Sequence, residues 1–278
     1  MQGKVCVVTG ATNGIGKATA QGLARLGATV VLVARNESLG RAVVSELVAA
    51  GNPNIHLKVA DLSSMASVRK LAADLGKDFP RIDVLVNNAG GEFGKKQLTA
   101  DGYELTFALD HLSPFLLTNL LLENLKAAPA ARVVTVSSSI QSSGNLDFDD
   151  LMYEKRKYSG WQAYCDAKRA NVLFTTELAK RLVGTKVTAN SLHPGVVRTN
   201  FISNSSPGLK FVLGLLQPLF LTPEKGAATS IFLASSAEVE GVTGNYFDKC
   251  VAVPSSKGPD DPEVASRLWE VSARLVGL

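Results

Sequence analysis

The chain of 278 residues carries 29 basic and 25 acidic side chains, a formal charge of +4, and 46% hydrophobic residues. That apolar content supports a substantial core and excludes the polar, charge-rich profile of a disordered chain; the basic residues are dispersed, with no long block to follow a phosphate backbone, so no nucleic acid partner is expected. Cys6, Cys165 and Cys250 have neither CxxC spacing nor a disulfide framework, which predicts three thiols in a reducing, cytoplasmic setting.

The first predicted strand, "KVCVVT" from Lys4, follows Met1 too closely for a secretory leader to be read there. It runs into "TGATNGIGK", Thr9 to Lys17, and then a helical pattern, "GKATAQGLARLG". A glycine turn between strand and helix can hold either a triphosphate or a dinucleotide. The triphosphate loop GxxxxGK[ST] fails, because five residues separate Gly10 from Gly16 and Ala18 stands where a magnesium-binding hydroxyl is needed. A dinucleotide needs a strand, a tight glycine turn and a helix N-terminus that offers free N–H groups to the pyrophosphate. All three are present in that order.

Further β-branched runs follow: "TVVLVA" from Thr29, "IHLKVA" from Ile55, "IDVLVN" from Ile82, "RVVTVS" from Arg132 and "KVTANSL" from Lys186. Helix-like segments such as "ASVRKLAADLGKDF" lie between them. The alternation predicts an α/β, Rossmann-type, doubly wound parallel sheet of about seven strands, with helices on both faces. The near-continuous apolar strands agree, since both faces are covered. Residues 1–278 read as a single domain. A substrate lobe is expected at about residues 200–225, where "LKFVLGLLQPLFL", Leu209 to Leu221, is broken by Pro218 and falls short of the roughly 20 residues of a spanning helix. Peripheral membrane contact and self-association stay open. At the end of the chain Asp261 and Pro262 introduce a last helical period.

Tyr164 and Lys168 stand four apart in "YCDAK" on a predicted helix, so both side chains emerge on one face. An adjacent ammonium lowers a phenol from its ordinary value of ~10 toward a useful acid/base at neutral pH. No metal is expected: His56, His111 and His193 lack ligand spacing, and His193, before a Pro-Gly turn, reads as structural. There is no GxSxG elbow. Asp147, Asp149 and Asp150 read as a solvated loop face.

The GxxxGxG spacing of Gly10, Gly14 and Gly16 is joined by "NNAG" at Asn87 to Gly90, "VSSS" at Val136 to Ser139, "YCDAK" and "HPGVVRT" at His193 to Thr199. In this order the motifs resemble the short-chain dehydrogenase/reductase family, over roughly Lys4 to Asp248. "AYCDAKRANVLFTTELAKRL" and "HLSPFLLTNLL" look most like its retinol-dehydrogenase branch, whose members act on lipophilic alcohols and carbonyls. The resemblance implies coenzyme contacts at Gly10, Thr12, Asn13, Gly14, Ile15, Gly16, Arg35, Asp61, Leu62, Asn87, Ala89, Gly90, Tyr164, Lys168, Pro194, Gly195, Val197 and Thr199. It also implies a mechanism in which nicotinamide C4 delivers hydride, Tyr164 protonates the carbonyl oxygen, Ser138 orients it and Lys168 holds the nicotinamide ribose. Ser137 and Ser139 are rivals for Ser138.

Arg35 ends the second strand with no acid before it; a guanidinium there pairs with a 2′-phosphate, which predicts NADP rather than NAD. Where the family carries a catalytic asparagine, this chain has Asp110, in "FALDHLSPF". An aspartate lacks the amide donor and, when ionised, adds a negative charge near Lys168 that raises the tyrosine pKa. The expectation is reduced or pH-shifted turnover of a lipophilic alcohol or carbonyl. The alternative is a catalytically weakened dinucleotide-binding regulatory or scaffold protein.

Overall fold

The computed structural model describes residues 1–197, 220–255 and 262–278. The six predicted runs form β1 (Val5–Thr9), β2 (Thr29–Ala34), β3 (Ile55–Val59), β4 (Val84–Asn87), β5 (Arg132–Val136) and β6 (Thr188–His193). Two further strands, β7 (Tyr246–Asp248) and β8 (Val251–Val253), make eight in a single sheet ordered β3-β2-β1-β4-β5-β6-β7-β8. Every pairing is parallel except the antiparallel β7–β8. The order reverses between β1 and β4, which opens a crevice at the C-terminal ends of the strands.

The helices are α1 (Gly14–Arg25), α2 (Glu37–Ala49), α3 (Met65–Asp78), α4 (Leu105–Phe107), α5 (Ser113–Leu120), α6 (Leu122–Lys126), α7 (Gly160–Arg181), α8 (Pro223–Ser235) and α9 (Pro262–Val276). Successive side chains on a strand point to opposite faces, and the core divides accordingly. Cys6, Val8, Val30, Leu32, Val84 and Val86 pack with Leu23, Leu47 and Leu233 of α1, α2 and α8. Val7, Val31, Val33, Leu85 and Val133 pack with Val68, Phe115, Phe174 and Leu268 of α3, α5, α7 and α9. Both faces of the central strands are therefore buried, which is why β1, β2 and β4 are apolar almost throughout.

Three local features place the polar side chains at one end of this core. Helix α7 is capped by the Ser159 hydroxyl, which accepts from the Gln162 N–H, and ends with Lys180 and Arg181 against its negative pole. Between α4 and α5, Ala108–Leu112 is a π-helical segment, the kind of bulge that re-aims side chains, and it carries Asp110 and His111. Helix α9 holds that segment from outside: His111 Nε2 is 2.8 Å from Ser272 Oγ, and the Trp269 ring lies 4.9 Å from Phe115 and 5.9 Å from Phe174. Arg69 donates to the Val276 carbonyl and Tyr103 to the Leu275 carbonyl.

The three cysteines are free thiols. Among the described residues no helix is long and apolar enough to cross a membrane, and no His/Cys/Asp/Glu group is placed to hold a metal ion.

Candidate active site

The candidate residues collect along one rim of the sheet, each just beyond the C-terminal end of a parallel strand. Gly10 follows β1, Arg35 follows β2, Asp61 and Leu62 follow β3, Asn87 ends β4 with Ala89 and Gly90 after it, Ser138 follows β5, and Pro194, Gly195 and Val197 follow β6. Thr199 and most of the expected lobe lie outside the described residues.

The glycine turn is built for close approach. Gly10 and Gly14 have φ of 67° and 53°, in the left-handed region that side chains disfavour. Gly16 is helical, but a Cβ there would stand 2.3 Å from Asn88 Nδ2 and 2.3 Å from the Gly10 carbonyl oxygen. Asn13 caps α1 without a side-chain hydrogen bond, and the first turn contains no acid, so the helix end offers its N–H groups and positive pole outward. A pyrophosphate fits this donor set.

Asn88, absent from the sequence-derived set, clamps the turn. Its amide donates to the Thr9 carbonyl at 2.8 Å, and the N–H groups of Asn88 and Ala89 donate to Thr9 Oγ1 at 2.9 and 3.0 Å. The asparagine before it does something else: Asn87 donates to Thr118 Oγ1 at 3.0 Å in the interior, tying β4 to α5, so its amide is structural. The Leu62 side chain is likewise core. Asp61 is exposed and holds a turn, its carboxylate accepting from the Ser63 N–H at 3.0 Å and hydroxyl at 2.7 Å. Arg35 is exposed at the same rim.

Tyr164 and Lys168 lie one turn apart on α7, with the ammonium 5.2 Å from the phenol ring centroid. Lys168 is buried, and its Nζ stands 2.8 Å from Asp110 Oδ2 in an ion pair shielded from water on both sides. The other Asp110 oxygen accepts from the Gly91 N–H at 2.8 Å. Burial pushes the Asp110 carboxyl up, opposed by the Lys168 charge and the Gly91 donor. The Tyr164 phenol is also raised, first by burial, then by the negative charges of Asp110 and Glu92 among others. The lysine alone therefore does not set the phenol: burial and the carboxylate that faces the same ammonium act against it.

Of the serine rivals, Ser137 is committed, its buried hydroxyl donating to the Lys168 carbonyl at 2.7 Å. Ser138 has extended backbone, φ −158° and ψ 156°, and is only partly covered.

The sequence also missed a buried acidic layer behind the site. Glu104 accepts from the N–H groups of Thr106 and Phe107 and from the Tyr158 hydroxyl at 3.1 Å. Glu92 lies over the first turn of α7, where a Cβ on Gly160 would meet its Oε1 at 2.5 Å. Asp166 accepts from the Tyr153 hydroxyl, Arg156, Gln162 and the Asn145 N–H. Asp150 belongs with these rather than on a solvated face: it is buried, and its carboxylate takes the N–H groups of Glu154, Lys155 and Arg156. Several of these partners are local, as in the cap that Glu104 makes on α4, but the burial that gives the acids their weight comes from distant segments.

The sequence profile described as "short chain dehydrogenase" matches residues 4–210. Human Retinol dehydrogenase 13 is 42% identical over 285 residues, covering 99% of this chain and 85% of that protein. Human Retinol dehydrogenase 12 is 43% identical over 279 residues, covering 100% and 88%. Among solved structures, a protein of Mycobacterium Paratuberculosis superposes with a TM-score of 0.81 at 32% identity, over 99% of this chain and 94% of that one. The Pseudomonas aeruginosa RhlG/NADP active-site complex gives 0.70 at 31% identity, over 89% and 94%. With its sheet order, glycine turn and YxxxK helix, the chain belongs to the short-chain dehydrogenase family, enzymes that move hydride between a nicotinamide dinucleotide and an alcohol or carbonyl.

Proposed function

We propose that this enzyme is NADP-dependent and that its substrate is a lipophilic alcohol or carbonyl compound, retinoid-like, steroid-like or another apolar aldehyde or ketone. The coenzyme preference is carried by Arg35: a guanidinium in open solvent directly after β2, followed by Asn36 and preceded by no acid in the strand, is suited to a 2′-phosphate. The RhlG/NADP complex, a structural neighbour, is in keeping with this. The substrate class is supported by the retinol dehydrogenases at about two-fifths identity and by the apolar sequence from Phe201 to Leu221.

When bound, the coenzyme supplies or accepts the hydride at nicotinamide C4. The protein handles the proton and the oxygen. Ser138 donates a hydrogen bond to the substrate oxygen and orients it. Tyr164 gives its phenolic proton to that oxygen as the carbonyl is reduced, and takes it back in oxidation. Lys168 stabilises the phenolate and would hold the nicotinamide ribose of the bound coenzyme. Asp110 holds the ammonium in place, and its charge opposes phenolate formation, which moves the best pH for oxidation upward.

The test is a thermal-shift comparison of NADPH with NADH, followed by coenzyme consumption across apolar aldehydes and ketones, with Tyr164→Phe as control. NADPH should stabilise both proteins, while turnover falls by about a hundredfold or more in the variant. Stabilisation by NADPH without turnover of any carbonyl would point to the scaffold alternative, and stabilisation by NADH alone would remove the assignment of Arg35.

A further inference from the structure

His193, which takes no part in the proton and hydride transfers, ends β6 immediately before Pro194. Strands β5 and β6 run parallel with Val136 opposite Leu192, and the Ser137 N–H donates to the Leu192 carbonyl at 2.8 Å. Donors along one edge of a strand recur at every second residue. The next belongs to Ser139, and it donates to the imidazole Nδ1 of His193 at 3.1 Å. The ring thus adds one more rung beyond the strand's end, where Pro194 and the left-handed Gly195, φ 83°, carry the β6 backbone away. Ser138 is the residue between the two rungs. On one side Ser137 is held by its N–H to β6 and its hydroxyl to α7; on the other, the Ser139 N–H is received by this imidazole.

We propose that His193 is a positioning residue for Ser138: its Nδ1 fixes the peptide after Ser138, and so the direction in which that hydroxyl meets the substrate oxygen. The inference rests on the role proposed for Ser138 in orienting that oxygen. An Nδ1 that accepts carries no proton, so the ring is neutral with its proton on Nε2. The charged groups facing it come from β7, which pairs Asp248 opposite His193, and from Lys249 in the turn after that strand. Burial holds the imidazole below its ordinary range, which favours the neutral form.

The experiment compares wild type, His193→Asn, His193→Gln, His193→Leu, Ser138→Ala and Ser138→Ala/His193→Leu. Each is assayed with saturating NADPH and the apolar aldehyde that wild type reduces fastest. Asparagine places an amide oxygen near the position of Nδ1, whereas glutamine is equally polar but carries its amide one bond too far. Expected are a fall in kcat of about tenfold for His193→Leu and His193→Gln, and recovery to within about threefold in His193→Asn, with KM for NADPH unchanged. In the Ser138→Ala background the further cost of His193→Leu should shrink to about twofold or less, because the group being positioned is gone. A penalty that persists in full without Ser138, or equal losses for Asn and Gln, would overturn the proposal while leaving Ser138's role intact. An undiminished kcat in Ser138→Ala would overturn both. Should His193→Leu fail to fold, the Asn and Gln pair decides alone.

Discussion

The Asp110 carboxylate and the Lys168 ammonium lie 2.8 Å apart, both buried, at the position where family resemblance leads one to expect an uncharged asparagine. Asp110→Asn removes a negative charge that helps to hold the phenol of Tyr164 up. In alcohol oxidation the rate should then reach its plateau at lower pH, by about one unit, so that kcat at pH 7 rises up to about tenfold. The same change leaves a buried ammonium with a weaker partner, and thermal stability should fall. An unaltered pH–rate profile would show that Asp110 acts only through its backbone.

Gly16→Ala tests the coenzyme cradle. The new methyl would meet the Gly10 carbonyl and the Asn88 amide at 2.3 Å, and one of those two is backbone of the turn itself. At NADPH about a hundred times above Kd the wild type should gain about 2.7 kcal/mol of stability. The variant should gain less than about 1 kcal/mol in the same titration. Equal gains in calorimetry would mean that the pyrophosphate sits elsewhere.

Arg35→Ala should weaken NADPH and leave NADH nearly unaffected. A charge-assisted hydrogen bond contributes about 1.5–3 kcal/mol, so KM for NADPH should rise roughly tenfold to a hundredfold. Parallel changes for both coenzymes would show that Arg35 does not read the 2′-phosphate.

His111 supplies a stability test independent of turnover. Burial lowers its imidazole to about 3, so the native ring is neutral, while the unfolded ring titrates near ~6.5. The folded pKa is depressed, hence this stabilisation is complete above pH ~6.5 and is lost as pH falls toward the folded value. The slope is about 1.4 kcal/mol per pH unit in that window. Urea denaturation between pH 7 and 5 should therefore show a shallower decline for His111→Asn than for wild type. Parallel curves would contradict the buried neutral histidine.

Much of this molecule could be read from residue order because its strands are covered on both sides. Runs such as "VVLVA" have no alternation to lose, and each met its predicted position. β7 and β8 escaped because three residues carry no period, and their turn uses Lys249 and Cys250 with φ of 50° and 64° instead of an Asn-Gly signal. In the site, Tyr164 and Lys168 were legible from helical spacing, as was the glycine turn from its departure from a triphosphate loop. The clamp by Asn88 was not, since its contacts with Thr9 and Gly10 span some 80 residues and join two strands that only the sheet order makes neighbours. The acids Glu92, Glu104 and Asp166 were invisible for a related reason: in sequence they look like surface charge, and only burial gives them work.

Helix α9 reaches across α5, α7 and the π-helical segment that carries Asp110, and it holds His111 through Ser272. The lysine's counter-charge is thus braced by residues joined to it through more than 150 positions of chain. A change in α9 should accordingly reach catalysis through the Asp110–Lys168 pair.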